Sequence, residues 1–324
     1  RKLAEACRIE ISMTTYAHPI VQLLIDINST EQAMHDAELP LANEYPGGLE
    51  RCRWHMQKGI ETYKKYFGFE PHGCWPSEGS ISGETIELIS EMGIKWLASG
   101  ETVLRNSLEK IATEPDECIH QAYQYRDSGA TCFFRDDGLS DLIGFKYSDW
   151  HADDAVANLV HHLENIAKEC ADQPGTVVSI ILDGENAWEY YPENGYHFIS
   201  ALYEKLTQHT GIKLTTYSEY LSSDHEIKPL QEIVAGSWVY GTFSTWIGEK
   251  DKNRAWDMLV EAKKAYDKVM SEGYLSEDEA TAAEMQLATC ESSDWFWWFG
   301  EYNSAESVTA FDEQYRLHLS NLYQ

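Results

Sequence analysis

The sequence predicts an α/β fold in which a parallel barrel is followed by an α-helical subdomain. Strand-like and helix-like segments alternate as far as about residue 230, a pattern typical of a parallel sheet. The strand-like runs end in polar residues, as expected when the strands of a barrel carry their functional side chains to one rim. An irregular, aromatic-rich connector at residues 237–248 follows, and after it come helix-like segments only. We therefore assign residues 1–230 to the barrel and residues 231–324 to the helical subdomain.

Five strand-like runs support the barrel, and each is followed directly by a polar residue. They span residues 9–15, 94–98, 131–134, 177–182 and 212–216. The run 177–182 is apolar over most of its length, which is typical of a strand buried on both faces. It leads directly to Asp183.

The helix-like segments have apolar residues at helical spacing. In the first part of the chain they cover residues 49–67, 85–92, 156–167 and 198–206. In the second part they cover residues 253–270, 277–290 and 308–322. Ser276 and Glu279 have the spacing of a capping box, which places the start of one of these helices.

The charge of the chain excludes several classes of partner. Its 324 residues include 54 acidic and 25 basic residues, for a formal charge of −29. Such a surface repels nucleic-acid backbones and anionic membranes, whereas neutral sugars meet no such repulsion. No apolar run is long enough for a membrane helix. The seven cysteines are scattered and never form a CxxC pair, which favours a reducing, cytoplasmic location.

Two acidic motifs are the strongest functional signal. Residues 72–78 read HGCWPSE and end in Glu78, and residues 183–189 read DGENAWE and begin with Asp183. Two carboxylates that the fold brings together suit glycoside hydrolysis. The alternative is that each carboxylate caps a helix.

Other polar residues near these motifs are candidates for binding a sugar. His18 and His72 have ring nitrogens that can hydrogen-bond to hydroxyl groups. Arg135 either contacts substrate or forms an ion-pair network with Asp136 and Asp141. Zinc-dependent sugar hydrolysis is a further alternative, but no HxxxH spacing occurs, so we expect no metal site.

Tryptophans are abundant around the motifs, and flat rings stack on the apolar faces of sugars. The candidates for this role are Trp75, Trp188, Trp238 and Trp246.

Four stretches of the chain resemble glycoside hydrolase family 57, the family of α-amylases and 4-α-glucanotransferases. They are residues 72–82, 133–150, 180–195 and 292–300. The resemblance implies a (β/α)7-type barrel, retaining cleavage or transfer of α-1,4-glucans, a maltooligosaccharide or α-glucan substrate, and no cofactor. The family's His-Gln-Pro motif is absent, which predicts a fragment whose barrel is incomplete at its N-terminus.

Matched motif to motif, Glu78 corresponds to the family's nucleophile and Asp183 to its general acid/base. Trp238, Asp294 and Trp295 resemble residues that line the donor site. Gly100 departs from the family pattern, in which an acidic residue is usual.

The resemblance leaves open hydrolysis, transglycosylation or branching, and whether this chain is active by itself. A non-catalytic α-glucan-binding protein on the same fold is the alternative function.

Overall fold

A computed structural model describes residues 1–111, 119–184 and 188–324. The strands are β1 (Gly73–Cys74), β2 (Trp96–Ser99), β3 (Tyr123–Tyr125), β4 (Thr131–Phe134) and β5 (Lys228–Leu230). The α-helices are α1 (Lys2–Glu5), α2 (Val21–Ile25), α3 (Gly48–Phe67), α4 (Gly83–Glu91), α5 (Glu101–Lys110), α6 (Asp137–Phe145), α7 (Ala152–Glu169), α8 (Tyr196–Thr207), α9 (Tyr217–Leu221), α10 (Lys250–Glu272), α11 (Glu277–Cys290), α12 (Ser293–Trp298) and α13 (Ala305–Leu322).

The sheet has the strand order β1-β2-β4-β3-β5. Strands β1, β2 and β4 are parallel, whereas β3 runs antiparallel to β4 and parallel to β5. Single parallel bridges extend this layer, from Met13 to Cys74 and from Arg135 to Ser179. The chain therefore runs in the same direction at Met13, β1, β2, β4 and Ser179. We call the edge of the sheet at which these strands end the carboxyl edge. The α/β class with a parallel sheet is thus confirmed.

The predicted helices agree with the structure more closely than the predicted strands. Helix α3 begins one residue before the predicted start, and the capping box of Ser276 and Glu279 begins α11. Strand β4 has its predicted bounds. Residues 9–15 and 177–182 contribute only the single bridges of Met13 and Ser179, and residues 212–216, all of them described, form no strand.

One large hydrophobic cluster joins the two predicted parts of the chain. It contains Leu97 of β2 and Leu230 of β5 together with Trp256 of α10 and Tyr315 of α13. A second cluster packs α6, α7 and α8 against one another. The helices after residue 230 therefore share a core with the sheet, and they hold their loops in fixed positions relative to the carboxyl edge.

Among the described residues, we find no helix of sufficient length and apolarity to cross a membrane.

Candidate active site

Glu78 lies just beyond β1, in the short 3-10 turn Ser77–Gly79. Its backbone is left-handed, with φ 58°, a conformation that costs a non-glycine residue roughly 1–2 kcal/mol. Buried hydroxyl groups hold the turn in place. The Ser77 and Thr15 hydroxyl oxygens are 2.5 Å apart, and the Ser99 hydroxyl donates to the Gly79 carbonyl at 2.5 Å. Contacts from two other segments thus fix the turn that carries Glu78.

The carboxylate of Glu78 is mostly buried, with 17% of its side chain exposed, and contacts two other segments. The indole N–H of Trp238 donates to Oε2 at 3.1 Å, and the Trp238 amide donates to the Glu78 carbonyl at 3.1 Å. Oε1 lies 4.0 Å from Nδ1 of His18. Helix α4, which follows, is capped by the side chain of Ser82. Glu78 is therefore not the cap of that helix.

Trp238 contacts two further candidate residues. Its ring meets that of Trp75 edge to face, with centroids 5.3 Å apart, and the Arg135 guanidinium lies 5.2 Å from its ring centroid. Gly100 allows this approach, because a Cβ atom there would lie 2.6 Å from the Trp238 Cα. A side chain at position 100 would therefore displace Trp238.

Arg135 links Trp238 to the segment that carries Asp183. Its Nε donates to the Ile181 carbonyl at 2.9 Å, two residues before Asp183. Its two terminal nitrogens each lie 2.7 Å from a carboxylate, one of Asp137 and one of Asp141. The ion-pair network thus includes Asp141, as the sequence suggested.

Asp136 occupies a different environment from the one predicted. It caps α6 by accepting from the Leu139 amide at 2.7 Å, and its other oxygen lies 2.8 Å from Nε2 of His120. Burial would raise the pKa of Asp136, but the His120 hydrogen bond and the capped amide outweigh burial and lower it. Arg135 therefore forms its direct ion pairs with Asp137 and Asp141 rather than with Asp136, although its positive charge also helps to lower the pKa of Asp136.

Asp183 is half-buried, and its segment runs beside β4. The Ser179 carbonyl accepts from the Asp136 amide at 2.8 Å, and the Ile181 amide donates to the Ser140 hydroxyl at 3.2 Å. Residues 185–187 of the motif lie outside the described residues. The contacts Glu78–Trp238–Arg135–Ile181 thus connect the two carboxylate-bearing segments at the carboxyl edge.

His18 lies on the same side, in a turn where Ala17 and His18 are both left-handed. Its Nδ1 is 3.0 Å from the Ser293 hydroxyl, and its carbonyl accepts from the Ser293 amide at 3.0 Å. Ser293 begins α12, so a segment of the helical part holds His18 beside Glu78. Sequence reasoning missed Ser293, because 275 residues separate it from His18.

Two candidates lie away from this arrangement. His72 is exposed and precedes β1, where its carbonyl accepts from the Lys95 and Trp96 amides at the amino end of the sheet. His72 therefore lies at the opposite end of β1 from Glu78, and its role in binding a sugar stays a prediction. Trp246 is completely buried in the core, and its carbonyl accepts from the Trp256 indole. It has no surface to offer a sugar.

Three more candidates pack on neighbouring helices or face solvent. Trp188 is half-buried beside Tyr191 and Phe198. Trp295 donates its indole N–H to the Thr289 carbonyl at 2.7 Å, and its ring packs on α13. Asp294 is exposed in the first turn of α12.

No group of three metal-ligating side chains occurs among residues 1–111, 119–184 and 188–324. Cys74, inside the first motif, is fully buried, and burial raises the pKa of its thiol to about 12. It stays protonated at neutral pH, as expected of a small core residue rather than a nucleophile.

Comparison with known proteins shows what the whole chain is similar to. A 4-alpha-glucanotransferase of Thermococcus litoralis is 26% identical over 172 residues, which cover 50% of this chain and 23% of that protein. The crystal structure of a branching enzyme from Thermococcus kodakaraensis superposes with a TM-score of 0.77 at 15% identity, covering 99% of this chain and 66% of the other. The α-amylase AmyC from Thermotoga maritima gives a TM-score of 0.71 at 16% identity, with 99% and 68% covered.

The chain therefore spans about a quarter of the curated relative and about two thirds of the solved chains. The family model of glycosyl hydrolase family 57 matches residues 1–236, well over half of the chain. This chain belongs to glycosyl hydrolase family 57.

Proposed function

We propose that this chain is the catalytic part of a retaining glycoside hydrolase or transglycosylase that acts on α-1,4-glucans by double displacement. Glu78 is the nucleophile and Asp183 the general acid/base. The substrate is an α-glucan or maltooligosaccharide, and the reaction needs no cofactor. Family membership and the glucan-related names of the similar proteins support this assignment.

The contact chain from Glu78 through Trp238 and Arg135 to Ile181 is the observation that carries the proposal. A retaining glycosidase needs its two carboxyl groups about 5–5.5 Å apart across one sugar. The contact chain ties both carboxylate segments to the same edge of the sheet. It therefore supports convergence of Glu78 and Asp183 on one sugar.

The donor on Glu78 suits the nucleophile's role. An indole N–H can only donate, so Trp238 orients the carboxylate and stabilises its ionised form. The other carboxylate oxygen, Oε1, lies 4.0 Å from Nδ1 of His18. In the first step it attacks the anomeric carbon while Asp183 protonates the departing oxygen. In the second step Asp183 activates water or an acceptor hydroxyl, which releases the sugar from Glu78.

We further propose that residues 1–230 form part of a (β/α)7-type barrel and that residues 231–324 form its helical subdomain. The side-by-side parallel positions of Met13, β1, β2, β4 and Ser179 support the barrel. A cytoplasmic location fits the scattered cysteines of the chain.

The proposed binding residues are those that lie at or beside this edge. His18 is beside Glu78, Trp238 donates to the Glu78 carboxylate and packs against Trp75, and exposed Asp294 is next to Ser293. Arg135 is buried and acts by holding Trp238 and the Ile181 segment.

Product analysis of the full-length protein with maltoheptaose tests the proposal. Shorter sugars alone indicate hydrolysis, and a ladder extending beyond seven glucose units indicates transfer. Glu78→Gln and Asp183→Asn should each lower kcat by several orders of magnitude. Undiminished turnover in either variant would refute the assignment. Binding of maltoheptaose without any turnover by the wild type would instead favour a non-catalytic glucan-binding protein.

A further inference from the structure

A buried charge cluster lies behind His18, between α3 and the loop that joins α11 to α12. The carboxylate of Glu291, which has no exposed surface, accepts from the Tyr45 hydroxyl at 2.6 Å. The Arg51 guanidinium donates to it at 2.7 and 2.9 Å, and His55 Nε2 lies 2.7 Å away. Burial alone would raise the pKa of Glu291, but the His55 and Arg51 hydrogen bonds outweigh burial and lower it to about 2.

His55 connects this cluster to the turn that carries His18. Its Nδ1 is 2.6 Å from the Tyr16 carbonyl, and its own carbonyl accepts from the Tyr16 amide at 3.1 Å. Its two ring nitrogens therefore contact two acceptors, the Tyr16 carbonyl and the Glu291 carboxylate. The imidazole ring thus fixes the position of Tyr16 relative to Glu291.

The other end of the same turn is held by the same loop. Ser293 follows Glu291 by two residues and contacts His18 through both its amide and its hydroxyl. The left-handed backbone at Ala17 and His18 costs free energy and persists only where neighbouring contacts enforce it. Contacts of His55 in α3 with Tyr16, and of Ser293 with His18, supply that constraint. Glu291 links the two, because it contacts His55 and lies two residues before Ser293.

We propose that the His55–Glu291 pair and Ser293 are positioning residues that hold His18 against the nucleophile Glu78. The inference rests on the proposed function, because it assigns these residues a role in that reaction. It explains why a carboxylate, a guanidinium and an imidazole are placed together in the core. A buried ion pair is weak evidence for stability by itself, since hydrophobic residues often replace one without loss.

Ser293→Ala is the variant that tests the proposal, because Glu291→Gln leaves Arg51 and His55 buried without their counter-charge and risks unfolding. In the full-length protein we expect kcat on maltoheptaose to fall on the order of 10-fold with KM nearly unchanged, since small displacements of positioned groups slow catalysis. Ser107→Ala is the matched control. It removes an equally buried serine hydroxyl of α5, which donates to the Val103 carbonyl and accepts from the Val234 amide, and it should leave kcat unchanged.

A double variant separates positioning from a general structural role. If Ser293 acts through His18, then His18→Ala combined with Ser293→Ala should be no slower than His18→Ala alone. If the fall in kcat of the double variant equals the product of the falls in the two single variants, the proposal is overturned.

An activity-independent measurement distinguishes failure of this inference from failure of the proposed function. With ¹⁵N-labelled histidine, the ring signals of His18, assigned with His18→Gln, should shift in both Ser293→Ala and Glu78→Gln. Those of His72, at the far end of the sheet, should not. Unshifted His18 signals in Ser293→Ala would refute positioning even in an active enzyme. Shifted His18 signals in a protein that does not act on glucans would support the contact between Ser293 and His18 but refute the proposed reaction.

Discussion

Trp238→Phe should weaken the proposed nucleophile without removing it. The substitution deletes the indole N–H that donates to Glu78 Oε2 at 3.1 Å, while the backbone hydrogen bond from residue 238 to the Glu78 carbonyl stays. A hydrogen bond to a charged group contributes about 1.5–3 kcal/mol. Because 17% of the Glu78 side chain is exposed, water replaces part of that donor, and the lower half of the range applies.

A loss of about 1.5–2 kcal/mol corresponds to a fall of about 10- to 30-fold in kcat/KM. The assay is steady-state hydrolysis or transfer with maltoheptaose, with the fold of the variant checked by thermal denaturation. Trp96→Phe is the matched control, because its indole N–H also donates to a carboxylate, that of Glu10, at 2.8 Å. The control should lose stability but keep its kcat/KM. A folded Trp238→Phe variant with wild-type kcat/KM would refute the assigned role of this hydrogen bond.

Three further predictions concern stability. Ser82→Ala should lower the free energy of unfolding by about 1 kcal/mol through loss of the α4 cap, with kcat unchanged, as measured by urea denaturation; no loss would contradict the assigned cap. The pKa of Glu291, about 2 against an ordinary 4.5, gives stability that is full above pH 4.5 and is lost as the pH falls through about 2. In a folded Glu291→Gln variant, the urea midpoint should fall less as the pH drops from 4.5 to about 2 than it does in the wild type. The same fall in both proteins would contradict the stabilising role of ionised Glu291. Gly100→Ala should displace Trp238 and cost about 1–3 kcal/mol, whereas Gly138→Ala, with its nearest neighbour at 3.5 Å, should be tolerated; equal stability of the two variants would contradict the close packing.

The sequence is most informative where a polar residue directly follows a strand. Strand β4 and the approach to β2 are apolar runs with polar ends, so their carboxyl ends could be aligned before any coordinates. Asp183 stands out because it follows the apolar run 177–182, whereas Glu78 stands out only by its motif HGCWPSE. Family resemblance adds their roles, which no spacing in the chain contains.

Short or polar strands cannot be predicted from apolar runs in the sequence. Strands β3 and β5 have three residues each, and β5 contains Pro229, which sequence patterns assign to an edge or a turn. Residues 177–182 look like a complete strand, yet β3 already pairs with Thr131 and Cys132, so that only Ser179 reaches its bridge with Arg135. Pairing depends on neighbours that are remote in sequence.

Burial of aromatic residues is equally hard to read from the chain. Trp238 and Trp246 lie eight residues apart in one irregular segment, but only Trp238 reaches Glu78, and Trp246 packs in the core. The cluster around Glu291 joins residues more than 230 positions apart, so no local pattern predicts it.

Covalent labelling tests the central claim most directly. The Asp183→Asn variant, incubated with α-maltotriosyl fluoride, needs no acid to expel fluoride and lacks the base that hydrolyses the intermediate, so the glycosyl-enzyme should accumulate. After proteolysis, mass spectrometry should find the trisaccharide ester on the peptide that contains Glu78. An ester on any other residue, or turnover of the fluoride with inversion at the anomeric carbon, would contradict the account.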